Sequence, residues 1–401
     1  MSNVRFTDVV TLSGAQLGAL QGYPIESIGV VACDHSACRV IPMQIDERDA
    51  SGAWVLDGNT PNSDTPPRVL DADDELLFMA ADAGEADAAS NLPAAVVAFE
   101  VAVVDPLSGS RAWAYVLGYA GAAPRAGESY VRYDAALDRF SGARVAFGYG
   151  NGVPVYMSIN DPGGANILDR LKVRAAASLI WGWLRFRRDE DDLVTESVGW
   201  HAGPIRVIRY QTQSILLGWG IRAPAFRSYT YFYRDFAELG VTLRLRRPAT
   251  FFLGDILIEV VLDFRDLRGW RLELPGSSPI VQVGDVDNDE SRALNASEAT
   301  SFVLRGPNLN LMYSFSFSES LKTVRKHFVY RDDVQPDPPE SVEGQRPGVG
   351  YALEQWEEVG PGEHTLTASS YALPLSASTE DFIHARAIPL AIAVRPLHLS
   401  L

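Results

Sequence analysis

LDADDELLFMAADAG, Leu70 to Gly84, sets four carboxylates, Asp71, Asp73, Asp74 and Glu75, directly against the apolar run Leu76 to Ala81. A calcium loop needs several oxygens converging at roughly 2.3–2.6 Å and a turn that closes around the ion. Asp71, Asp73 and Glu75 alternate as such ligands do, but Leu76 opens an apolar strand at once and no closing loop follows. The reading that decides the fold is that these acids solvate the rim of a buried strand and guard it against aggregation. A cation held by Asp71, Asp73 and Glu75 is the second reading, and a catalytic carboxylate pair the third.

Strand patterns spread outward from this stretch. In RAWAYVLGY, Trp113, Tyr115 and Leu117 alternate with smaller residues, and AVVAFEVAVVD and RVIPMQID read as buried or half-buried strands. Seven candidate strands fit before Tyr119, near residues 4–12, 26–33, 38–46, 53–57, 75–81, 95–104 and 111–119. That is the strand count of an immunoglobulin-like sandwich. The small and polar run Gly118 to Ser129 then reads as a linker, which predicts domains over 1–122 and 123–401. The second stretch carries further period-two runs, among them SYTYFYRDF, VTLRLRRP, DILIEVVLDFRD and LMYSFSF. The chain is therefore expected to be all-β and antiparallel, with a larger β-sandwich behind the first. One segment competes: in NILDRLKVRAAASLIWGWLRF the residues Ile167, Leu171, Ala175, Leu179 and Trp183 are four apart, as on a helix face.

The 401 residues are 47% hydrophobic and 21% charged, ordinary for a folded chain, and no run approaches the roughly 18 apolar residues that span a bilayer as a helix. The net charge of −16 argues against a nucleic-acid partner. It is unevenly spread: Ile45 to Asp87 holds twelve acidic residues against two basic, whereas Arg170 to Arg247 holds fourteen basic against seven acidic. The start, MSNVRFTDVV, carries no export leader, and a mature exported chain would read the same way. The only two cysteines, Cys33 and Cys38, flank DHSA between apolar runs. A strand, a four-residue loop and a strand would set them opposite each other as a disulfide, which belongs to an oxidising, extracytoplasmic compartment.

Two further groups carry chemistry. In GDVDNDE, Asp285, Asp287 and Asp289 have the 1-3-5 spacing of a calcium loop, but position six is Glu290 where glycine is usual and position twelve is Ala296 where glutamate is. The alternatives are a calcium site and a polar hairpin turn. In the basic middle, Tyr229, Tyr231 and Tyr233 alternate and share one sheet face, with Arg206, Arg209, Tyr210, Trp219, Arg222 and Arg227 nearby in sequence. Aromatic faces stack on sugar rings and guanidinium forks hold carboxylates, so this group suits a polysaccharide, an acidic one in particular. Lyase chemistry on a uronate would use Arg209 to neutralise the carboxylate and Tyr231 or His201 to abstract the proton. The plainer reading is half-exposed sheet surface covered by arginine stems. No G-x-S-x-G, H-E-x-x-H, Walker or Rossmann motif is present.

IPMQIDERD followed by DADDELLFMAADAG resembles a pairing in poorly characterised exported bacterial proteins with a P-x-Q-x-D … D-E-L-x-F signature, some related to carbohydrate-active β-sandwich proteins. The shared positions are Pro42, Gln44, Asp46, Asp74, Glu75, Leu76 and Phe78. The resemblance implies export and a sandwich fold, and assigns no catalytic residue. The function expected is an extracytoplasmic binding or surface-assembly protein with carbohydrate as its ligand class. A lyase-like enzyme is the alternative, and a structural subunit forming a homo-oligomer through sheet edges is a third reading.

Overall fold

The computed structural model describes residues 5–34, 37–59, 62–86, 92–159, 164–179, 184–218, 220–251, 253–276, 280–285, 288–333 and 335–398. Strands take up 53% of the chain and the pairing is antiparallel, so the all-β expectation holds. The chain divides into two compact units, one made of 1–132, 199–207 and 376–401, the other of 133–198 and 208–375.

The first unit has two sheets. One is three-stranded, in the order Val9–Ser13, Glu75–Met79, Gln44–Asp46; the other is five-stranded, in the order Ala391–Leu397, Val97–Val104, Arg111–Gly118, Ile28–Asp34, Ala37–Val40. Val10, Leu12, Leu76 and Phe78 from the first and Ile28, Val30, Val101 and Val116 from the second share one buried core. Leu76 to Met79 are fully buried, as the apolar run after the acids predicts. Expected strands 38–46 and 53–57 are shorter than the pattern implied. Ile41 to Met43 interrupt the first, and the second shrinks to Asp57–Gly58 with an isolated bridge between Arg48 and Trp54. Cys33 faces Cys38 across the hairpin with a Cα–Cα distance of 4.0 Å, and the two form the expected disulfide.

The second unit is built on two large sheets. One runs Leu184–Arg188, Leu168–Leu179, Leu253–Phe264, Gln345–Glu354, Arg325–Asp333. In the other, Ser301–Arg305, Leu309–Phe317, Gly362–Pro374, Phe236–Leu245, Phe226–Phe232 and Val207–Gly218 lie side by side in that order. Phe264, Phe328, Tyr330 and Tyr351 from the first sheet pack on Phe302, Leu304, Leu311 and Tyr313 from the second.

The segment with helical spacing is a strand hairpin, Leu168–Leu179 with Leu184–Arg188; residues 180–183 lie outside the described part. Residues four apart share a face in a strand as well as in a helix, so the spacing did not discriminate. Its charged positions settle it. Lys172 and Arg174 are buried on one face, where Lys172 meets Asp263 at 3.0 Å and Glu340 at 3.1 Å and Arg174 pairs with Glu190. Among the described residues no helix is long and apolar enough to cross a membrane.

Candidate functional site

The basic middle does not fold into one surface. Arg206 belongs to the first unit, where it meets the residues of the P-x-Q-x-D and D-E-L stretches. Its Nε donates to Asp46 Oδ2 at 2.6 Å and its Nη2 to Glu75 Oε2 at 2.8 Å. Asp46 Oδ1 accepts from Gln44 Nε2 at 2.6 Å and lies 3.1 Å from His201 Nε2. Gln44 Oε1 accepts the backbone N–H groups of Ile205 and Arg206, both at 3.0 Å. A Cβ on Gly203 would come within 2.1 Å of the Gln44 amide, so only glycine lets this segment approach so closely. Two guanidinium groups lie against the Trp54 ring, Arg48 at 3.5 Å and Arg206 at 4.8 Å from its centroid.

Burial would raise the Asp46 carboxyl, but the His201 hydrogen bond and the Arg206 charge outweigh it and hold it below its ordinary range. Burial works against a charged His201 in the same way, yet the hydrogen bond and charge of Asp46 lift its pKa above the usual value. Both Asp46 oxygens are engaged. Such a saturated carboxylate holds chain segments together and is not poised as a base.

Arg209 lies in the second unit, buried, with Nε and Nη2 on Asp138 at 3.0 and 2.7 Å and its guanidinium 3.9 Å from the Tyr149 ring centroid. Tyr149 also meets Thr230 at 3.2 Å, so Arg209 and Thr230 face the inside of the unit. Tyr210, next in sequence, points the other way, its ring 4.7 Å from Tyr229, which stacks on Tyr231 at 6.3 Å. Arg209 and Tyr231 therefore occupy opposite faces of one sheet, because neighbouring strand residues alternate. The lyase arrangement of Arg209, Tyr231 and His201 is not assembled on that face.

What the sheet does bring together is a face of tyrosines and hydroxyls. Across the ladder, Tyr231 pairs with Glu238, which pairs with Ser369, which pairs with Ser314; Tyr229 pairs with Gly240, then Thr367, then Ser316. Directly paired residues share a face, so Tyr210, Tyr229 and Tyr231 stand beside Glu238, Thr367, Ser369, Ser314 and Ser316. The three tyrosines are half-buried. Nothing comes nearer than 4.0 Å to a Cβ built on Gly240, which leaves a shallow place beside Tyr229. Tyr233 stacks instead on Phe236 at 4.2 Å. Arg222 and Arg227 are exposed and paired with Glu196 and Glu363, each at 3.0 Å, and Trp219 lies outside the described residues.

The acidic stretches separate. Glu75 is taken up by Arg48 and Arg206, while Asp71 Oδ1 accepts the Asp73 backbone N–H. Asp71 instead joins Asp64 and Asp74, each with a carboxylate oxygen within 4.8 Å of the others. Asp74, fully buried, accepts the N–H groups of Arg48 and Asp71 at 3.0 and 2.9 Å. Burial and the charges of Asp71 and Glu47 still push its carboxyl up to about 6, against the pull of those two bonds. Of the second stretch, Asp285 donates its N–H to Gln282 at 3.2 Å. Asp289 lies in the helix Asn288–Asn295, and Asp287 and the Asp289 side chain are outside the described part.

An antiparallel all-β protein of two units with an aromatic, hydroxyl-bearing sheet face is the class these features define. No protein-family model and no curated protein matches the sequence. Among the solved structures similar to this chain are two at 9% identity: an α-mannosidase from Enterococcus faecalis V583, with a TM-score of 0.53, and a protein in glycosyl hydrolase family 38 from Enterococcus faecalis, with 0.51. Each match covers 97% of this chain but only 44% and 46% of those chains, so this chain spans less than half their length. At such identity the likeness is one of fold.

Proposed function

We propose that this protein binds carbohydrate, and that the ligand lies on the sheet face of Tyr210, Tyr229 and Tyr231. The observation that carries the reading is three half-buried tyrosine rings on the same sheet face as serine and threonine hydroxyls from two strands, Gly362–Pro374 and Leu309–Phe317. Rings offer apolar faces for sugar C–H groups, and hydroxyls both donate and accept toward sugar hydroxyls. Arg206 and Arg209 are committed elsewhere and Glu238 stands beside Tyr231, so a neutral glycan fits this face better than an acidic one. The fold shared with glycosyl hydrolase family 38 proteins supports the ligand class. The disulfide supports an extracytoplasmic setting.

The test is a glycan array followed by calorimetry on the full chain. Tyr229→Ala is expected to weaken binding at least tenfold, a loss of about 1.4 kcal/mol, and Gly240→Gln to do the same by filling the space beside Tyr229. Release of shortened or unsaturated sugar would move the reading to an enzyme. Unchanged affinity in both variants would remove the ligand from this face.

A further inference from the structure

The two large sheets of the second unit do not close on each other along their whole length. Beyond the shared aromatic core they enclose a cavity of about 1640 Å³, larger than the roughly 300–1,000 Å³ of ordinary small-molecule sites. Leu171, Val173, Leu239, Val241, Ile258 and Leu366 line it from the inner faces, yet each stays partly exposed. On the opposite face of the first of these strands Lys172 and Arg174 are buried. Apolar side chains are thus wetted inside while charged ones are covered outside, the reverse of the usual order, and a wetted apolar interior is unfavourable unless something fills it.

The lining also has a sign. Five arginines, 188, 222, 244, 246 and 247, line the cavity and no aspartate or glutamate among the described residues does, although the chain has 51 acidic residues against 35 basic. The exposed members mark its opening: Arg222, Arg244, Arg246 and Arg247 stand there with Ile221 and Phe251, both more than half exposed. Arg222 and Arg188 are partly answered by Glu196 and Asp192. Arg244 stands directly across the ladder from Glu363, whereas Arg246 and Arg247 form no ion pair with a carboxylate among the described residues, and Arg247 rests on the Phe251 ring at 4.5 Å. Unanswered guanidinium groups over a long apolar space match a ligand with an anionic head and an unbranched hydrocarbon tail.

We propose that this cavity binds an anionic amphiphile, its acyl or alkyl chain between the sheets and its carboxylate or phosphate held at the opening by Arg246 and Arg247. Leu239 and Val241, which line the cavity, alternate along their strand with Glu238 and Gly240 of the tyrosine face, so the apolar lining and the tyrosines lie on opposite sides of that strand.

The full chain is titrated with cis-parinarate, followed by its fluorescence, and the probe is displaced with octanoate, decanoate, laurate and myristate. Saturable displacement is expected, with affinity rising roughly tenfold for each two methylenes. Arg246→Glu with Arg247→Glu, both exposed, should weaken myristate at least tenfold and leave 1-tetradecanol unchanged. Val241→Trp should abolish both, and the charge reversal carries the test if that variant fails to fold. Phosphatidylglycerol vesicles that compete identify a membrane lipid as the source, and vesicles that do not leave the free acid; either outcome fits the proposed chemistry. Absence of saturable displacement, or myristate affinity unmoved by the charge reversal, overturns it. Neither result bears on sugar binding, which the Tyr229→Ala variant reads separately.

Discussion

Arg206→Met is the perturbation that best tests how the first unit is held together. The substitution keeps the apolar stem against Trp54 and deletes the bonds to Asp46 and Glu75. Removing one partner of a buried ion pair typically costs about 3–5 kcal/mol, because the abandoned charge stays desolvated. Here Asp46 keeps Gln44 and His201, and Glu75 keeps Arg48, so the lower end, about 3 kcal/mol, is expected. In the parent Asp46 titrates below its ordinary value, so its contribution is present above the unfolded pKa of about 3.9 and is lost as pH falls through the folded one. Without Arg206 the Asp46 carboxyl loses one of the charges that hold its pKa down and its pKa rises, so protonation relieves the variant first and the gap between the proteins narrows in acid. Urea unfolding followed by tryptophan fluorescence gives the cost, and amide exchange in Gln44–Asp46 gives its local share. A double-mutant cycle with Asp46→Asn should return a coupling of at least about 1.5 kcal/mol. A cost under about 1 kcal/mol at neutral pH, or a gap that widens in acid, would refute the reasoning.

Two smaller predictions concern the same unit. Replacing Cys33 and Cys38 by serine opens a very short loop, so about 2 kcal/mol of stability is expected to go, read as a shift of the urea midpoint with the slope unchanged. Folded Asp74, titrating near 6, retains a proton that the unfolded chain has released, so between about pH 4 and 6 its effect is to lower stability as pH rises. Asp74→Asn should flatten that part of the stability profile by up to about 3 kcal/mol. A profile identical to the parent's would show that Asp74 titrates normally.

Alternation made the strands around Val97–Val104 and Arg111–Gly118 legible, because period two is written locally in side-chain size. The disulfide was legible for the same reason, since a short hairpin fixes its own register. The tyrosine face was half legible. Parity puts Tyr229 and Tyr231 on one side, but the same parity turns Arg209 away from Tyr210, its neighbour in the chain. His201 and Arg206 reach Asp46 across some 160 positions, and nothing in their own neighbourhood announces it. The one available signal was the P-x-Q-x-D and D-E-L pairing, whose Gln44, Asp46 and Glu75 all converge there. The cavity was illegible, because an apolar residue facing an empty space and one facing a packed core are written with the same letters.

The strand Ala391–Leu397 lies on Val97–Val104 at the margin of its sheet, residue 391 against residue 104. A ribosome delivers Val97–Val104 long before Ala391–Leu397. Until the last segment emerges, Val97–Val104 keeps one side of its backbone open to any passing strand, which is the condition for mispairing with another nascent chain. A fragment stopped at 132 inherits that hazard permanently.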